Sequence, residues 1–149
     1  MTKNKPNQRM NIIEKFSTFY VDITSMKIDD LEKIYRKDVV FIDPIAHHQG
    51  LAAVEMYFER LLSSAKYCQF EISKKLRNGE SDATICWTMS YTSSKLNGGT
   101  PIHVDGTTIL EIEDDMIVYH RDYYDLGQMV YEHLPLFGRL VKTIKRKMA

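Results

Sequence analysis

"ATICWTMSYTS", residues 83–93, is the stretch whose reading decides the fold. Side chains alternate across a strand, so Ala83, Ile85, Trp87, Met89 and Tyr91 share one face while Thr84, Cys86, Thr88, Ser90 and Thr92 share the other. One face is aromatic and must be covered; the other is hydroxylated. Moving outward, residues 102–112 repeat the division, with Ile102, Val104, Gly106, Thr108, Leu110 and Ile112 opposing His103, Asp105, Thr107, Ile109 and Glu111. The turn signals "RNGES", "KLNGGTP" and "EDD" separate strands expected near 67–76, 83–93, 102–112 and 117–125. Consecutive strands joined by short turns predict an antiparallel meander.

The cover for the aromatic face comes earlier in the chain. From Asn11, residues Ile12, Ile13, Phe16, Phe19, Tyr20 and Ile23 follow helical spacing and predict a long first helix. "IDDLEKIYRK" predicts a short second helix, capped by Asp29 or Asp30, with Leu31, Ile34 and Tyr35 on its inner stripe. "VVFIDP" reads as a short strand stopped at Pro44, and the loop "IAHHQG" leads to a third helix over 51–64. Past the meander, helical patterns broken at Pro135 carry Leu136, Phe137, Leu140, Val141 and Ile144 beside Arg139, Lys142, Lys145, Arg146 and Lys147. The expected fold is therefore α+β: a curved antiparallel sheet in a cone shape, three N-terminal helices enclosing a cavity, and a C-terminal helical extension over 127–147.

The 149 residues suit a single domain over 1–149, with residues 1–10 polar and expected to fray. Twenty basic and twenty acidic residues cancel, which gives no bulk field toward nucleic acid. "MTKNKPNQRMN" has no apolar core of a secretory signal and no run approaches membrane-spanning length, so the expected location is cytoplasmic. Cys68 and Cys86 lie inside strands without metal-binding spacing and are expected as free thiols.

With "LEKIYRKDVVFIDPIAHHQGLAAVEMYFERLL" before the meander and "IVYHRDYYDLGQM" at its end, the chain resembles the nuclear-transport-factor-2-like superfamily, in its SnoaL-like branch. Ketosteroid isomerases of that superfamily keep their base in an Asp-Pro pair, and "FIDP" sets Asp43 at that place. Their oxyanion hole uses a helix tyrosine and a strand aspartate. Here Phe19 falls at the first position, with Tyr20 one residue away, and Thr108 at the second, which argues against steroid isomerisation. Limonene epoxide hydrolases are similar across "RDYYDL", but Trp87 and Met89 stand where their other catalytic groups belong. SnoaL-type polyketide cyclases use an aspartate in His-Arg-Asp as acid and base, and the resemblance puts Asp122 in that role with His120 orienting it.

The resemblance thus implies cofactor-free proton transfer on a hydrophobic carbonyl compound, with Asp122, His120 and Asp43 as catalytic groups. Tyr20, Tyr57, Trp87, Met89, Thr108 and Tyr124 are the expected ligand contacts. The rival readings are a non-catalytic ligand binder or interaction module, in which Asp122 merely satisfies a polar core and Asp43 ties a turn. Strand alternation puts His120 and Asp122 on the side of Val118, and the resemblance makes that the cavity side. His47 and His48 point apart and lack a third ligand, so a lid or loop-surface role is expected and no metal. The mixed outer face at Thr84, Cys86, Thr88, His103 and Asp105 predicts a homodimer surface. The basic last helix is expected to pack on the domain or a dimer mate, with membrane contact the alternative.

Overall fold

The computed structural model describes residues 11–149. Six strands form one open sheet in the order β2-β1-β6-β5-β4-β3. They are β1 (Tyr35–Ile42), β2 (His47–Gln49), β3 (Tyr67–Asn78), β4 (Asp82–Thr92), β5 (Ile102–Glu113) and β6 (Met116–Tyr124). Strands β3 to β6 make the expected antiparallel meander, whereas β1 joins β6 in parallel, so the sheet is mixed. Register shifts in β3 and β6 bend the sheet, as bulged strands do.

Two α-helices cross the concave face. In α1 (Ile12–Val21), Asn11 caps the first turn by accepting from the Glu14 amide at 3.1 Å, and Ile12, Ile13, Phe16 and Tyr20 are buried. In α2 (Leu51–Ser64), only Val54 and Phe58 are fully buried, which marks a helix lying over the rim of the core. Against them the sheet sets Ile85, Trp87, Met89, Val104 and Leu110, all on the face that alternation assigns inward.

The second helix differs from expectation. Residues Ile28–Lys33 form a 3-10 segment, neither Asp29 nor Asp30 caps it, and Tyr35 opens β1 instead of extending a helical stripe. Six residues between two bends cannot repay α-helix nucleation, while Tyr35 gains a ladder partner in Ile117. The loop "IAHHQG" also contains a strand, since β2 folds back on Val40, Phe41 and Ile42 and closes a hairpin around Asp43. Ile23 lies beyond α1, in a 3-10 turn that begins after Asp22. The expected fraying of residues 1–10 concerns a segment outside the described residues.

After β6 the chain forms α3 (Leu126–Met129), a 3-10 turn at Tyr131–His133 and α4 (Phe137–Met148). Leu136, at φ 66° and ψ −52°, makes a γ-turn in which the Phe137 amide donates to the Pro135 carbonyl at 2.7 Å. Packing of α4 on its own domain is limited. Only Gly138 is buried, while Leu136, Phe137, Leu140, Ile144 and Met148 stay exposed, so the domain does not cover its apolar stripe. Among the described residues no helix is long and apolar enough to cross a membrane.

Candidate functional site

The two halves of the site come from neighbouring strands. β1 ends at Ile42, which places Asp43 at the mouth of the hairpin, and β6 beside it carries His120 and Asp122. The inward direction of β6 depends on a bulge. Glu111 faces Tyr119 but Ile112 faces Ile117, so Val118 is the extra residue and Ile117, not Val118, shares the buried side with His120. The inward reading of His120 and Asp122 holds although the simple alternation behind it does not.

Behind the cavity wall runs a chain of hydrogen bonds. The Tyr20 and Tyr35 hydroxyls lie 2.6 Å apart, and the Tyr35 hydroxyl lies 2.7 Å from His120 Nδ1. His120 Nε2 meets Asp122 Oδ1 at 2.8 Å. From the other side Trp87 Nε1 donates to Thr108 Oγ1 at 2.8 Å, and Thr108 Oγ1 donates to the same Asp122 oxygen at 2.5 Å. With Asp122 ionised and accepting only, and with the imidazole neutral, the ring carries its proton on Nε2 and accepts from Tyr35 through Nδ1. Donors therefore run toward Asp122 from both ends. His120 is 0% exposed and packs on the Phe41 ring, with centroids 4.2 Å apart, while the Asp122 side chain keeps 13% of its surface open. Among the described residues nothing donates to Asp122 Oδ2.

Asp43 is held differently. Its Oδ1 accepts from the amides of Ile45 and Ala46, both at 2.8 Å, and its Oδ2 accepts a short hydrogen bond from the Tyr57 hydroxyl. The first pair is the turn tie that an aspartate before proline favours. The bond from Tyr57 joins β1 to α2 across the cavity.

The space between these carboxylates is a cavity of about 40 Å³, walled by Tyr20, Phe41, Asp43, Tyr57, Phe70, Trp87, Met89, Asp122 and Tyr124 among others. A second compartment of about 150 Å³ adjoins it and shares Leu61, Cys68, Met89 and Met129 with it. Burial first, and the Asp43 and Asp122 charges after it, push the phenols of Tyr57 and Tyr124 well above the ordinary tyrosine value. Burial does the same to Tyr20 and Tyr35. All four hydroxyls stay protonated and act as donors.

Of the expected ligand contacts, Tyr20, Tyr57, Trp87, Met89 and Tyr124 line the cavity. Thr108 does not: it is buried behind Asp122 and spends its hydroxyl between Trp87 and that carboxylate. His120 also stands behind the wall. Tyr35 was missed, because the sequence pattern placed it on a helix stripe and gave its hydroxyl no task. His48 packs against Tyr57 at a tilt of 30°, with centroids 4.5 Å apart, and His47 is exposed. Cys68 and Cys86 are free thiols, and burial pushes the Cys68 thiol up to about 12.

Known structures repeat this fold at low sequence identity. A hypothetical protein with a ketosteroid isomerase-like fold from Catenulispora acidiphila, solved in complex with trimethylamine, superposes with a TM-score of 0.71 at 20% identity, covering 87% of this chain and 93% of that one. An NTF2-like protein of unknown function from Burkholderia pseudomallei gives 0.70 at 12% identity, over 82% and 96%. TsrD from Streptomyces laurentii gives 0.63 at 18% identity, over 79% and 88%. These identities establish the fold alone. Among curated proteins no sequence matches. A family model of the SnoaL-like domain matches residues 16–120, from the middle of α1 to His120 on β6, and on that match the chain belongs to the SnoaL-like domain family.

Proposed function

We propose that the cavity takes a small, largely apolar carbonyl compound and that Asp122 removes a proton from the carbon beside the carbonyl, without a cofactor. One observation carries this reading. His120 and Thr108 both engage Oδ1 of this cavity-lining carboxylate, and among the described residues no protein donor reaches Oδ2. In the step, the C–H bond breaks, its proton goes to Oδ2 and its electron pair moves into an enolate whose charge falls on the carbonyl oxygen. On this reading Tyr124, a protonated phenol on the same wall whose hydroxyl interacts with Asp43, turns from that carboxylate to donate to the enolate oxygen. Return of the proton to another carbon gives isomerisation; attack of the enolate on a second carbonyl gives ring closure. Asp43, already holding two amides and Tyr57, serves as a second acid or base only if Tyr57 releases it.

The cavity of about 40 Å³ sets the size class. A larger ligand must displace Met89 and Met129 to reach the adjoining compartment, which flexible thioether side chains allow. The test is deuterium incorporation into a panel of small ketones in heavy water, followed by NMR. Wild-type protein should exchange them faster than Asp122→Asn, and equal rates would remove Asp122 as the base.

A second reading, binding without chemistry, is favoured by the walls themselves. Two carboxylates and several ring faces line the cavity and no lysine or arginine does, a setting suited to a small alkylammonium ion. The Catenulispora acidiphila neighbour was solved with trimethylamine. Calorimetric binding of trimethylammonium by a protein that exchanges no ketone would select this reading. In either case we read the outer sheet face as a homodimer surface. Its cross-strand pairs, Thr88 to Asp105 at 2.6 Å and Ser90 to His103 at 2.7 Å, satisfy its polar groups before a mate arrives. Sedimentation as a monomer at micromolar concentration would remove the dimer.

A further inference from the structure

Helix α4 is apolar along one stripe and cationic around the rest. At about 100° per residue, Phe137, Leu140, Val141, Ile144 and Met148 fall within a sector roughly 100° wide. Arg139, Lys142 and Arg146 stand opposite, while Lys145 and Lys147 flank its two edges. The stripe is not the side by which the helix holds the domain. That side is set by Gly138, where an added Cβ would come 2.2 Å from the Glu132 carbonyl oxygen. It is also set by Lys145, which pairs with Asp125 at 3.1 Å and Glu132 at 2.5 Å. Both anchors sit about a quarter turn from the centre of the stripe. The apolar residues consequently face solvent, with Phe137 57%, Leu140 57%, Ile144 48% and Met148 83% exposed, and Leu136 beside them 79% exposed.

We propose that α4 docks on the surface of an anionic lipid bilayer. The helix contains no acidic residue, and among the described residues Arg139, Lys142, Arg146 and Lys147 have no ion-pair partner. Charge decides between occupants. Pairing the stripe with that of a second copy would bring the edge Lys147 of each helix toward the other, with no acidic residue on the helix to answer them. A polyanion such as nucleic acid would meet the cations but leave the stripe in water. An anionic bilayer satisfies both, since the stripe enters the boundary between headgroups and acyl chains, Lys147 at its edge reaches lipid phosphates, and Arg139, Lys142 and Arg146 on the far side add longer-range attraction to the anionic surface. Twelve residues make a helix about 18 Å long, which lies in the interface and does not span it. Attachment by one short helix is reversible. This inference does not depend on the chemistry proposed for the cavity.

The experiment is co-sedimentation of the full chain with vesicles of phosphatidylcholine alone or mixed with phosphatidylglycerol, at low and high salt. Wild-type protein should sediment with the anionic vesicles only, and salt should weaken the binding. Leu140→Glu with Ile144→Glu should lower binding at least about tenfold, since the apolar area is lost. Arg139→Ala with Arg146→Ala should lower it severalfold and reduce its salt dependence. Circular dichroism verifies that the variants fold, as all four positions are exposed. Failure of the wild type to sediment, equal binding to neutral vesicles, or unchanged binding by the glutamate variant would overturn the proposal. So would a lipid-free dimer that the glutamate variant dissociates, because the stripe would then be covered by a second copy.

Discussion

Tyr35→Phe removes one hydroxyl and unseats two neighbours. With the His120 proton committed to Asp122 through Nε2, Tyr35 must donate to Nδ1 and must itself accept from Tyr20. The three side chains are buried, so water cannot replace the lost group. The variant leaves a donor on Tyr20 and an acceptor on His120 unpaired, each at a cost of about 1–3 kcal/mol. We expect about 3 kcal/mol in total, or a fall in Tm of roughly 6–12 °C for a chain of this size. Tyr20→Phe takes away only the terminal donor and should cost about 1 kcal/mol, because Tyr35 still donates to His120. In the double variant only Nδ1 is orphaned. Its cost should fall short of the sum of the singles by about 1 kcal/mol or more, a coupling that denaturant titration of the four proteins measures. Nitrogen NMR of His120 supplies the independent check, with the proton expected on Nε2. Additivity within about 0.5 kcal/mol, or a neutral ring protonated on Nδ1, would refute the assigned direction of the chain.

Trp87→Ala should destabilise by roughly 3–5 kcal/mol, since the ring is buried and packs so tightly on β5 that a Cβ at Gly106 would come 2.2 Å from it; a near-neutral change would make Trp87 a wall residue only. Raising pH should unfold the protein cooperatively. Tyr20, Tyr35, Tyr57 and Tyr124 hold their protons above the ordinary phenol value in the folded state, so stability is intact below about pH 10 and falls above it, by up to about 1.4 kcal/mol per pH unit for each phenol. Phenolate absorbance should rise in two stages, the later one coinciding with loss of circular dichroism, and a single early stage would contradict the burial argument. Leu136→Gly should raise stability by about 1 kcal/mol by relieving a positive φ, measured by thermal melting, whereas a loss would place the Leu136 side chain in a contact that matters.

The meander was legible because a period of two survives wherever one face is covered, and β4 and β5 keep it without interruption from Ala83 to Tyr91 and from Ile102 to Ile112. β6 breaks it. A bulge at Val118 exchanges which of two apolar neighbours turns inward, and no residue type announces that exchange, since Ile117 and Val118 suit either face. β2 was invisible for another reason: three residues are too short a window for periodicity, and His47–Gln49 owes its strand geometry to pairing with β1. Tyr35 escaped because tertiary pairing overrode a local helical pattern. Thr108 lies on the expected face, but sequence cannot tell a hydroxyl that lines a cavity from one that stands behind a carboxylate lining it.

The two cavity carboxylates show how the same side chain acquires different work from its place on the sheet. Asp43 follows the last residue of β1, where two amides of a turn lie within its reach, so one oxygen is spent on the backbone and the other on Tyr57. Asp122 lies within β6, where neighbouring amides belong to the ladder and only side chains can donate to it. Thr108 is its direct partner across the β5–β6 ladder and His120 is its neighbour two residues back on the same face. Both approach from the sheet side, and so both reach the same oxygen. Among the described residues no protein donor reaches the opposite oxygen, and the proposed proton transfer would use it. If Asp122 is the base proposed for this cavity, a third donor introduced from α2 toward Oδ2 should abolish deuterium exchange into small ketones, and exchange at the wild-type rate would refute the role proposed for that oxygen.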